Sequence, residues 1–223
     1  MFRHSSPLPQ FADRQDAGRA LADRLASFQG RRDVVVLALP RGGVPVACEV
    51  ARALDAPLDV FVVRKLGVPG HEELAMGAIA SGDVRVLNED VLNWYHLSHG
   101  DVEKVARHEA AEVERRERHY RDGRPLIAVE GRVVILIDDG LATGSTMRAA
   151  VDAVRRLHPA RIVVAVPVGA RDTCTALQKT ADDVVCVLMP ESFSAVGQWY
   201  VDFSQTTDEE VRHLMSSCGK GPA

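Results

Sequence analysis

Short runs of branched apolar residues, separated by segments with helical spacing, are the feature that most constrains how this chain folds. The runs are VVVLAL, LDVFVV, VVILI, RIVVAVPV and DVVCVLM, at residues 34–39, 58–63, 133–137, 161–168 and 183–189. Continuous apolar strands of this kind are typical of parallel sheets that helices cover on both faces. The pattern therefore predicts an α/β fold with a mostly parallel central sheet flanked by helices.

The remaining segments complete a single domain over residues 1–223. Helical spacing predicts helices at 17–28, 44–54, 145–157 and 171–180. Two strand-like stretches, 75–80 and 84–88, and a long charged helix, 101–120, form a hairpin and helical insertion over residues 75–122. This charged helix is interpreted as an exposed arm or a contact in a homodimer. Residues 1–13 are expected to form a loose arm, and residues 190–223 a C-terminal cap and tail.

Composition excludes several classes of function. The 223 residues carry a formal net charge of -4 without a basic block, so the electrostatic footprint of general nucleic-acid binding is missing. No apolar run approaches the roughly 18 residues of a membrane span, and the N-terminus lacks the apolar region of a signal peptide. We therefore expect a cytoplasmic protein with neither nucleic acid nor membrane as a partner.

The cysteines give no sign of a metal or redox site. Cys48, Cys174, Cys186 and Cys218 are scattered, with no CxxC pair and no histidine at zinc-ligand spacing. We interpret them as small buried hydrophobes in a protein of a reducing compartment.

Two adjacent carboxylates follow the third apolar run, in the segment VVILIDDGLATGSTM at residues 133–147. The Gly, Thr and Ser residues after Asp138 and Asp139 predict a strand–loop–helix turn, whose amides and helix N-terminus suit a phosphate group. The carboxylates would repel that phosphate, so they must face something else. Sugar hydroxyls or a divalent cation would satisfy them. A ligand with a phosphate at one end and vicinal hydroxyls beside it fits both halves of the segment.

Two common nucleotide-binding motifs do not describe this segment. A Walker A loop needs a Lys before the Ser or Thr, and this loop has none. No GxGxxG motif is present. The simplest alternative is that the two carboxylates only cap the following helix.

The stretch IDDGLATGST resembles the 5-phosphoribosyl-1-pyrophosphate (PRPP) signature of type I phosphoribosyltransferases, whose fold is a Rossmann-like α/β domain with a small C-terminal hood. The resemblance implies that Asp138 and Asp139 contact the ribose 2′ and 3′ hydroxyls, and that Mg²⁺ is the cofactor. No direct protein ligand is assigned to the ion, and contact with Asp138 and Asp139 through water is the option left open. The resemblance further implies that the loop binds the 5′-phosphate through Ala142, Thr143, Gly144, Ser145 and Thr146. Enzymes of this family that use 6-oxopurines carry an Asp at the position of Ala142, so the loop is more similar to the adenine and orotate branches.

A second strand end also carries unusual chemistry. Arg41, Gly42 and Gly43 follow the first apolar run and offer backbone donors beside a delocalised cation, although such a sequence is often only a turn. The resemblance implies that these three residues bind the leaving pyrophosphate. Residues 64–80 are expected to form a loop that closes over the site as a lid or completes the pyrophosphate site, with Lys65 as a catalytic residue. This stretch is similar to a branch of proteins predicted to be phosphoribosyltransferases. The alternative is a structural loop in which Arg64 and Lys65 pair with Glu72 and Glu73.

Aromatic residues cluster near the C-terminus, in residues 189–203. Their place after the last strand resembles the hood of the phosphoribosyltransferases that use purines, in which an aromatic side chain stacks on the base. The resemblance assigns Phe193, Trp199 and Asp202 to the base site. The spacings around Gly197 are each one residue longer than in the family, and packing of these aromatics in the core is an equal alternative.

The function expected from these features is transfer of a phosphoribosyl group from Mg-PRPP to a nitrogenous base or related acceptor. Asp138, Asp139, Arg41 and Lys65 are the expected catalytic residues, with small molecules as the substrates. The main alternative is a non-catalytic regulator that senses PRPP or a nucleotide with the same fold, because fold alone does not settle function. A phosphatase or nucleotide hydrolase is disfavoured by the absence of Ser-His-Asp, HD and Walker signatures.

Overall fold

A computed structural model describes residues 10–218 as two sheets with helices packed around them. The strands are β1 (Val34–Ala38), β2 (Leu58–Val60), β3 (Val63–Val68), β4 (His71–Ala80), β5 (Val84–Leu87), β6 (Val133–Ile137), β7 (Arg161–Val168) and β8 (Asp183–Leu188). The helices are α1 (Arg14–Arg24), α2 (Gly43–Leu54), α3 (Glu89–Trp94), α4 (His99–Arg121), α5 (Ser145–Arg155), α6 (Arg171–Leu177) and α7 (Asp208–Cys218). Short 3₁₀ turns cover Ala26–Phe28 and Val196–Trp199.

The central sheet is parallel throughout and has the strand order β2-β1-β6-β7-β8. Alternate residues of β6 show why its sequence is continuously apolar: Val133, Ile135 and Ile137 face one core cluster with α2, whereas Val134 and Leu136 face another with α5. Both faces are buried, so neither set of positions can be polar. The predicted fold class is confirmed.

The second sheet is antiparallel, in the order β3-β4-β5. The predicted hairpin at 75–88 corresponds to β4 and β5, and the predicted charged helix corresponds to α4, which begins with a capping box formed by Ser98 and Asp101. α4 packs on β3, β4 and α7. The insertion is therefore a small sheet with its own covering helix beside the central sheet.

Two predictions for residues 58–80 are wrong. The expected strand 58–63 is divided, because β2 ends at Val60 and the chain then passes to the second sheet. There the amide of Val62 donates to Ser81 Oγ at 2.9 Å and the Val62 carbonyl accepts from the Ser81 amide at 2.9 Å. The expected loop 64–80 is largely the hairpin of β3 and β4, with register shifts around Gly67.

The N-terminal arm also differs from its prediction. Residues 1–9 lie outside the described residues, but Phe11 is buried and its amide donates to the Trp199 carbonyl at 2.8 Å. The side chain of Asp13 then caps α1 by accepting from the Asp16 amide. Residues 10–13 are therefore packed rather than loose, and the predicted helix begins three residues early and ends at Arg24.

The C-terminal helix packs on the helices beside the central sheet. α7 contacts α2, α4 and β2, and a disulfide joins Cys48 of α2 to Cys218 at the end of α7, with 5.6 Å between the two Cα atoms. The prediction of four separate buried thiols is therefore wrong for this pair, whereas Cys174 and Cys186 are free and buried. Within residues 10–218, no helix combines the length and apolar character needed to cross a membrane.

Candidate functional site

The carboxyl ends of β1 and β6 meet at the centre of the parallel sheet. Ala38 lies opposite Ile137, and the ladder continues one residue further as the amide of Leu39 donates to the Ile137 carbonyl at 2.8 Å. The two segments singled out by sequence, 41–43 and 138–146, therefore leave the same edge of the sheet side by side. Ligands of open α/β sheets bind at this edge.

The glycines after β1 make a close approach to the acidic pair. A Cβ atom on Gly42 would lie 2.1 Å from Asp139 Oδ2, and one on Gly43 would lie 2.7 Å from the Ile137 carbonyl oxygen. Neither position accommodates a side chain without displacing β6 or Asp139. The two glycines thus allow the turn after β1 to rest directly on the end of β6.

The two carboxylates have different surroundings. Asp138 Oδ1 accepts a hydrogen bond of 2.9 Å from the amide of Asp139. Asp139 Oδ2 accepts one of 2.8 Å from Arg14 Nε, and the Asp139 carbonyl accepts one of 2.6 Å from the hydroxyl of Tyr200. The structure therefore gives Asp139 a cation and leaves Asp138 without an ion pair among the described residues.

These surroundings act on the ionisation of the pair. Burial raises the pKa of Asp138 well above its usual range, and repulsion from Asp139 adds to the rise. Burial also raises the pKa of Asp139, while the hydrogen bond and charge of Arg14 act in the opposite direction. A polyhydroxyl ligand or a cation at Asp138 would relieve the remaining cost of burying two carboxylates.

The loop after β6 leads into the N-terminus of α5. Gly144 adopts a left-handed conformation with φ of 68°, and Thr143 Oγ1 lies 3.1 Å from Ser145 Oγ. Thr173 Oγ1 donates to the Ala142 carbonyl at 2.6 Å, and Arg148 donates to the Thr143 carbonyl at 2.8 Å. With the carbonyls of Ala142 and Thr143 already bonded, the loop leaves the first-turn amides of α5 from Thr146 onward as donors for an anion, while the Ser145 amide makes a long contact of 3.5 Å with Thr143 Oγ1.

Arg41 lies at the same edge and belongs to a small network. Its guanidinium is 3.7 Å from Asp208 Oδ1 at the start of α7, and the same oxygen accepts a 2.6 Å hydrogen bond from the hydroxyl of Tyr120 in α4. The Arg41 side chain is half-exposed, so it remains accessible to a ligand. Two elements from outside the central sheet therefore orient this cation.

The β3–β4 hairpin borders a cleft of about 800 Å³ that reaches the loop after β6 at Thr146. Lys65 is exposed and pairs with Glu73 at 3.4 Å, while Arg64 pairs with Glu109 of α4 at 2.7 Å. Lys65 also lines this cleft, and its catalytic role stays a prediction. The alternative of ion pairs within the hairpin describes Lys65 but not Arg64, whose partner is on α4. The role of the hairpin as a lid stays a prediction.

The predicted base site is not assembled as expected. Trp199 is 2% exposed and packs with Phe11 and Tyr200, so its assignment as a residue that stacks on a base is wrong. Phe193 packs beside this cluster, and Asp202 is exposed, with its carboxylate accepting from the Ser204 amide at 2.9 Å. Packing in the core, the alternative raised by the sequence, accounts for most of these aromatics.

Sequence reasoning missed three residues that touch the acidic pair or its cation. Arg14 and Tyr200 contact Asp139, and Phe203 lies under the Arg14 guanidinium, 4.0 Å from its ring centroid. Arg14 and Asp139 are 125 residues apart in sequence, and no local spacing links them.

Comparisons with known proteins identify the family of the domain that carries this site. A family model described as a phosphoribosyl transferase domain matches residues 10–204. Two curated relatives from Mycobacterium tuberculosis, named "Putative phosphoribosyl transferase Rv0571c" (strain H37Rv) and "Putative phosphoribosyl transferase MT0597" (strain CDC 1551), are each 51% identical over 201 residues. Each match covers 90% of this chain and 45% of the relative, so the chain spans less than half the length of these relatives. The crystal structure of TT1426 from Thermus thermophilus is 42% identical, with a TM-score of 0.85, and the alignment covers 95% of this chain and 100% of that one.

Proposed function

The chain belongs to the phosphoribosyl transferase domain family, and from this premise we propose that it transfers the phosphoribosyl group of Mg-PRPP to a nitrogenous acceptor. In this reaction a ring nitrogen forms a bond to the anomeric carbon as the bond from that carbon to pyrophosphate breaks. The acceptor loses its N–H proton, and the products are a nucleoside 5′-monophosphate and pyrophosphate.

One observation carries the proposal: donors for two separate anions flank one pair of carboxylates. Gly42 lies against Asp139 on one side, with Arg41 next to it in the turn, and the amides of Ser145 and Thr146 begin α5 on the other. PRPP has the matching order of groups, with a pyrophosphate, vicinal hydroxyls and a 5′-phosphate.

Each part of the site then has a role. The loop from Ala142 to Thr146 binds the 5′-phosphate through backbone amides and the hydroxyls of Thr143 and Ser145. Asp138 and Asp139 accept hydrogen bonds from the ribose hydroxyls and orient the anomeric carbon. Arg41, with the backbone of Gly42, stabilises the charge that develops on pyrophosphate as the bond breaks, whereas the amide of Gly43 already donates to the Leu39 carbonyl at 3.1 Å.

The donor set fits Mg²⁺ bound chiefly by the substrate. Within residues 10–218 no cluster of three or more His, Cys, Asp or Glu side chains could hold a metal ion by itself. Mg²⁺ is commonly bound by one or two carboxylates together with substrate phosphates and water. Asp138, which has no cation partner among the described residues, is the carboxylate that would hold the ion, directly or through water. The ion would supply positive charge at the pyrophosphate oxygens.

Ala142 stands where enzymes that use 6-oxopurines carry an Asp, so the proposed acceptor site has no carboxylate at this position. The backbone carbonyl of Ala142 accepts a hydrogen bond from Thr173. The resemblance of the loop to the adenine and orotate branches favours acceptors other than 6-oxopurines. The activity, substrates and any homodimer of the whole protein remain part of the proposal. A non-catalytic sensor of PRPP is the second candidate, and it is favoured by the burial of Trp199, which removes one of the side chains expected at the acceptor base.

Mg-PRPP binding tests the donor assignment. In calorimetric titrations we expect saturable binding of PRPP that weakens when Mg²⁺ is removed with a chelator. Absence of binding with Mg²⁺ present would contradict the assignment of the 133–147 segment for both candidate functions.

Replacing Arg41 with Ala tests the pyrophosphate side. We expect the variant to bind pyrophosphate about tenfold or more weakly, since it loses one charge-assisted contact, while its affinity for a nucleoside monophosphate changes little. Competition titrations against Mg-PRPP measure both affinities. Equal losses for the two ligands would show that Arg41 does not act at the pyrophosphate.

Gly144→Ala tests the phosphate loop. The left-handed backbone at this position is strained for a side chain, and a Cβ would lie 2.5 Å from Thr173 Cγ2, so we expect ribose 5-phosphate affinity to fall about tenfold. Gly131→Ala is the matched control, because Gly131 has the same φ of 68° and no atom within 4 Å of an added Cβ. If both variants bind ribose 5-phosphate like the wild type, the loop does not bind the phosphate.

A further inference from the structure

We propose that Arg14 of α1 is a positioning residue for the ribose-binding carboxylate Asp139, and that it joins this carboxylate to the C-terminal segment over the site. The inference rests on the proposed function, because it concerns how Asp139 is held for the ribose. Neither the sequence pattern nor the family motif includes Arg14.

Three contacts from two parts of the chain, Asp139 and the adjacent residues Phe203 and Ser204, hold the Arg14 guanidinium. Its Nε donates to Asp139 Oδ2 at 2.8 Å, and its Nη1 donates to the Ser204 carbonyl at 2.7 Å. Its planar face lies 4.0 Å from the centroid of the Phe203 ring. The Arg14 side chain is 11% exposed and that of Asp139 is 16% exposed. Because both side chains are largely buried, solvent screens this pair less than it would an exposed ion pair, and the charge-assisted hydrogen bond fixes the orientation of the carboxylate.

The orientation of this contact leaves half of the carboxylate for a ligand. Arg14 bonds Oδ2, and no hydrogen bond among residues 10–218 uses Oδ1 of Asp139. The Gly42 backbone closes the other side of Oδ2, since an added Cβ there would lie 2.1 Å from this oxygen and 3.3 Å from Arg14 Nε. The side chain of Asp139 is thus fixed between Arg14 and the turn after β1, with Oδ1 as the acceptor for a ribose hydroxyl.

Charge balance supports the same role. Asp138 and Asp139 are adjacent and largely buried, and among the described residues Arg14, through its contact with Asp139, is the cation that pairs with either of them. A second anchor for the same segment is Tyr200, whose hydroxyl donates to the Asp139 carbonyl. Arg14 therefore links Asp139 to Phe203 and Ser204, and Tyr200 contacts Asp139 directly. Through these contacts, a ribose bound to Asp139 is coupled to the C-terminal segment 200–204.

A double-mutant cycle distinguishes positioning from a purely structural role. Ribose 5-phosphate is titrated into the wild type, Arg14→Gln, Asp139→Ala and the double variant, and unfolding temperatures are recorded for all four. We expect each single variant to bind about tenfold more weakly, and the double variant to bind no more weakly than Asp139→Ala alone, because Arg14 acts through Asp139. Arg19→Gln, on the exposed face of the same helix, is the control and should bind as the wild type does.

Losses that multiply to about 100-fold in the double variant would overturn the positioning role, since Arg14 would then act independently of Asp139. If Arg14→Gln does not fold, Arg14→Lys replaces it in the same cycle, with the same two outcomes. A wild type that does not bind ribose 5-phosphate would overturn the proposed function and this inference with it, whereas multiplicative losses would overturn this inference alone.

Discussion

The double variant Asp138→Asn/Asp139→Asn is expected to bind Mg-PRPP at least about 100-fold more weakly than the wild type. Each substitution replaces a charge-assisted acceptor by a neutral amide, and bonds to charged groups contribute about 1.5–3 kcal/mol apiece. Because burial and mutual repulsion raise the pKa of Asp138, removing its charge relieves a cost in the free protein, and an Asn at 139 can still accept a hydrogen bond from Arg14 Nε through its amide oxygen. We therefore expect the variant to fold normally and lose ligand affinity. Calorimetric titration with Mg-PRPP measures the loss.

A second pair of adjacent carboxylates provides the control. Asp182 and Asp183 lie at the start of β8, at the amino ends of the parallel strands and so at the opposite end of the sheet from Asp138 and Asp139. There they pair with Arg155 and Arg161. Asp182→Asn/Asp183→Asn should bind Mg-PRPP as the wild type does. Unchanged affinity in the Asp138/Asp139 variant would exclude these carboxylates as the ribose site.

The largest expected effect on stability is that of Arg121→Ala. Arg121 is 4% exposed, and its guanidinium donates to Asp59 at 2.9 Å, to Glu117 at 2.7 Å and to the Val60 carbonyl at 2.7 Å. Removing it leaves the buried carboxylate of Asp59 without a cation at the junction of α4 with β2. Breaking a buried ion pair in this way lowers the free energy of unfolding by about 3–5 kcal/mol.

Urea unfolding followed by circular dichroism checks this value. Arg118→Ala is the comparison, because Arg118 forms an exposed pair with Glu114 on the same helix, and such pairs contribute at most about 1 kcal/mol. Similar unfolding free energies for the two variants would show that the Arg121 network does not hold the insertion to the central sheet.

The central sheet was predictable because both faces of β1, β6 and β7 are buried, so their apolar runs mark them directly. The run of β8 is also apolar, although β8 is an edge strand and most of its residues are only partly buried. The break between β2 and β3 was not, since it depends on the backbone of Val62 pairing with Ser81, 19 residues later. An apolar run does not record which sheet a strand joins. The same limit applies to the disulfide, whose cysteines are separated by 170 residues.

The site was predictable where its chemistry is local. Asp138, Asp139 and the loop to Thr146 are contiguous, and the parallel sheet rule places Arg41 beside them. Arg14 could not be found in this way, because an arginine on an amphipathic helix is ordinarily a solvated residue. The assignment of Trp199 to the predicted base site was wrong for a different reason. A cluster of aromatic residues in the sequence does not show which rings are exposed, and the ring of Trp199 is buried.

Pyrophosphate release tests the proposed transferase activity most directly. The protein is mixed with Mg-PRPP and, separately, with adenine, orotate, hypoxanthine, guanine and other nitrogen nucleophiles, and pyrophosphate is measured over time. We predict release that depends on one acceptor, yields the matching nucleoside monophosphate, and is lost in Asp138→Asn/Asp139→Asn. Tight PRPP binding with no acceptor-dependent release across the panel would contradict the transferase and leave the sensor.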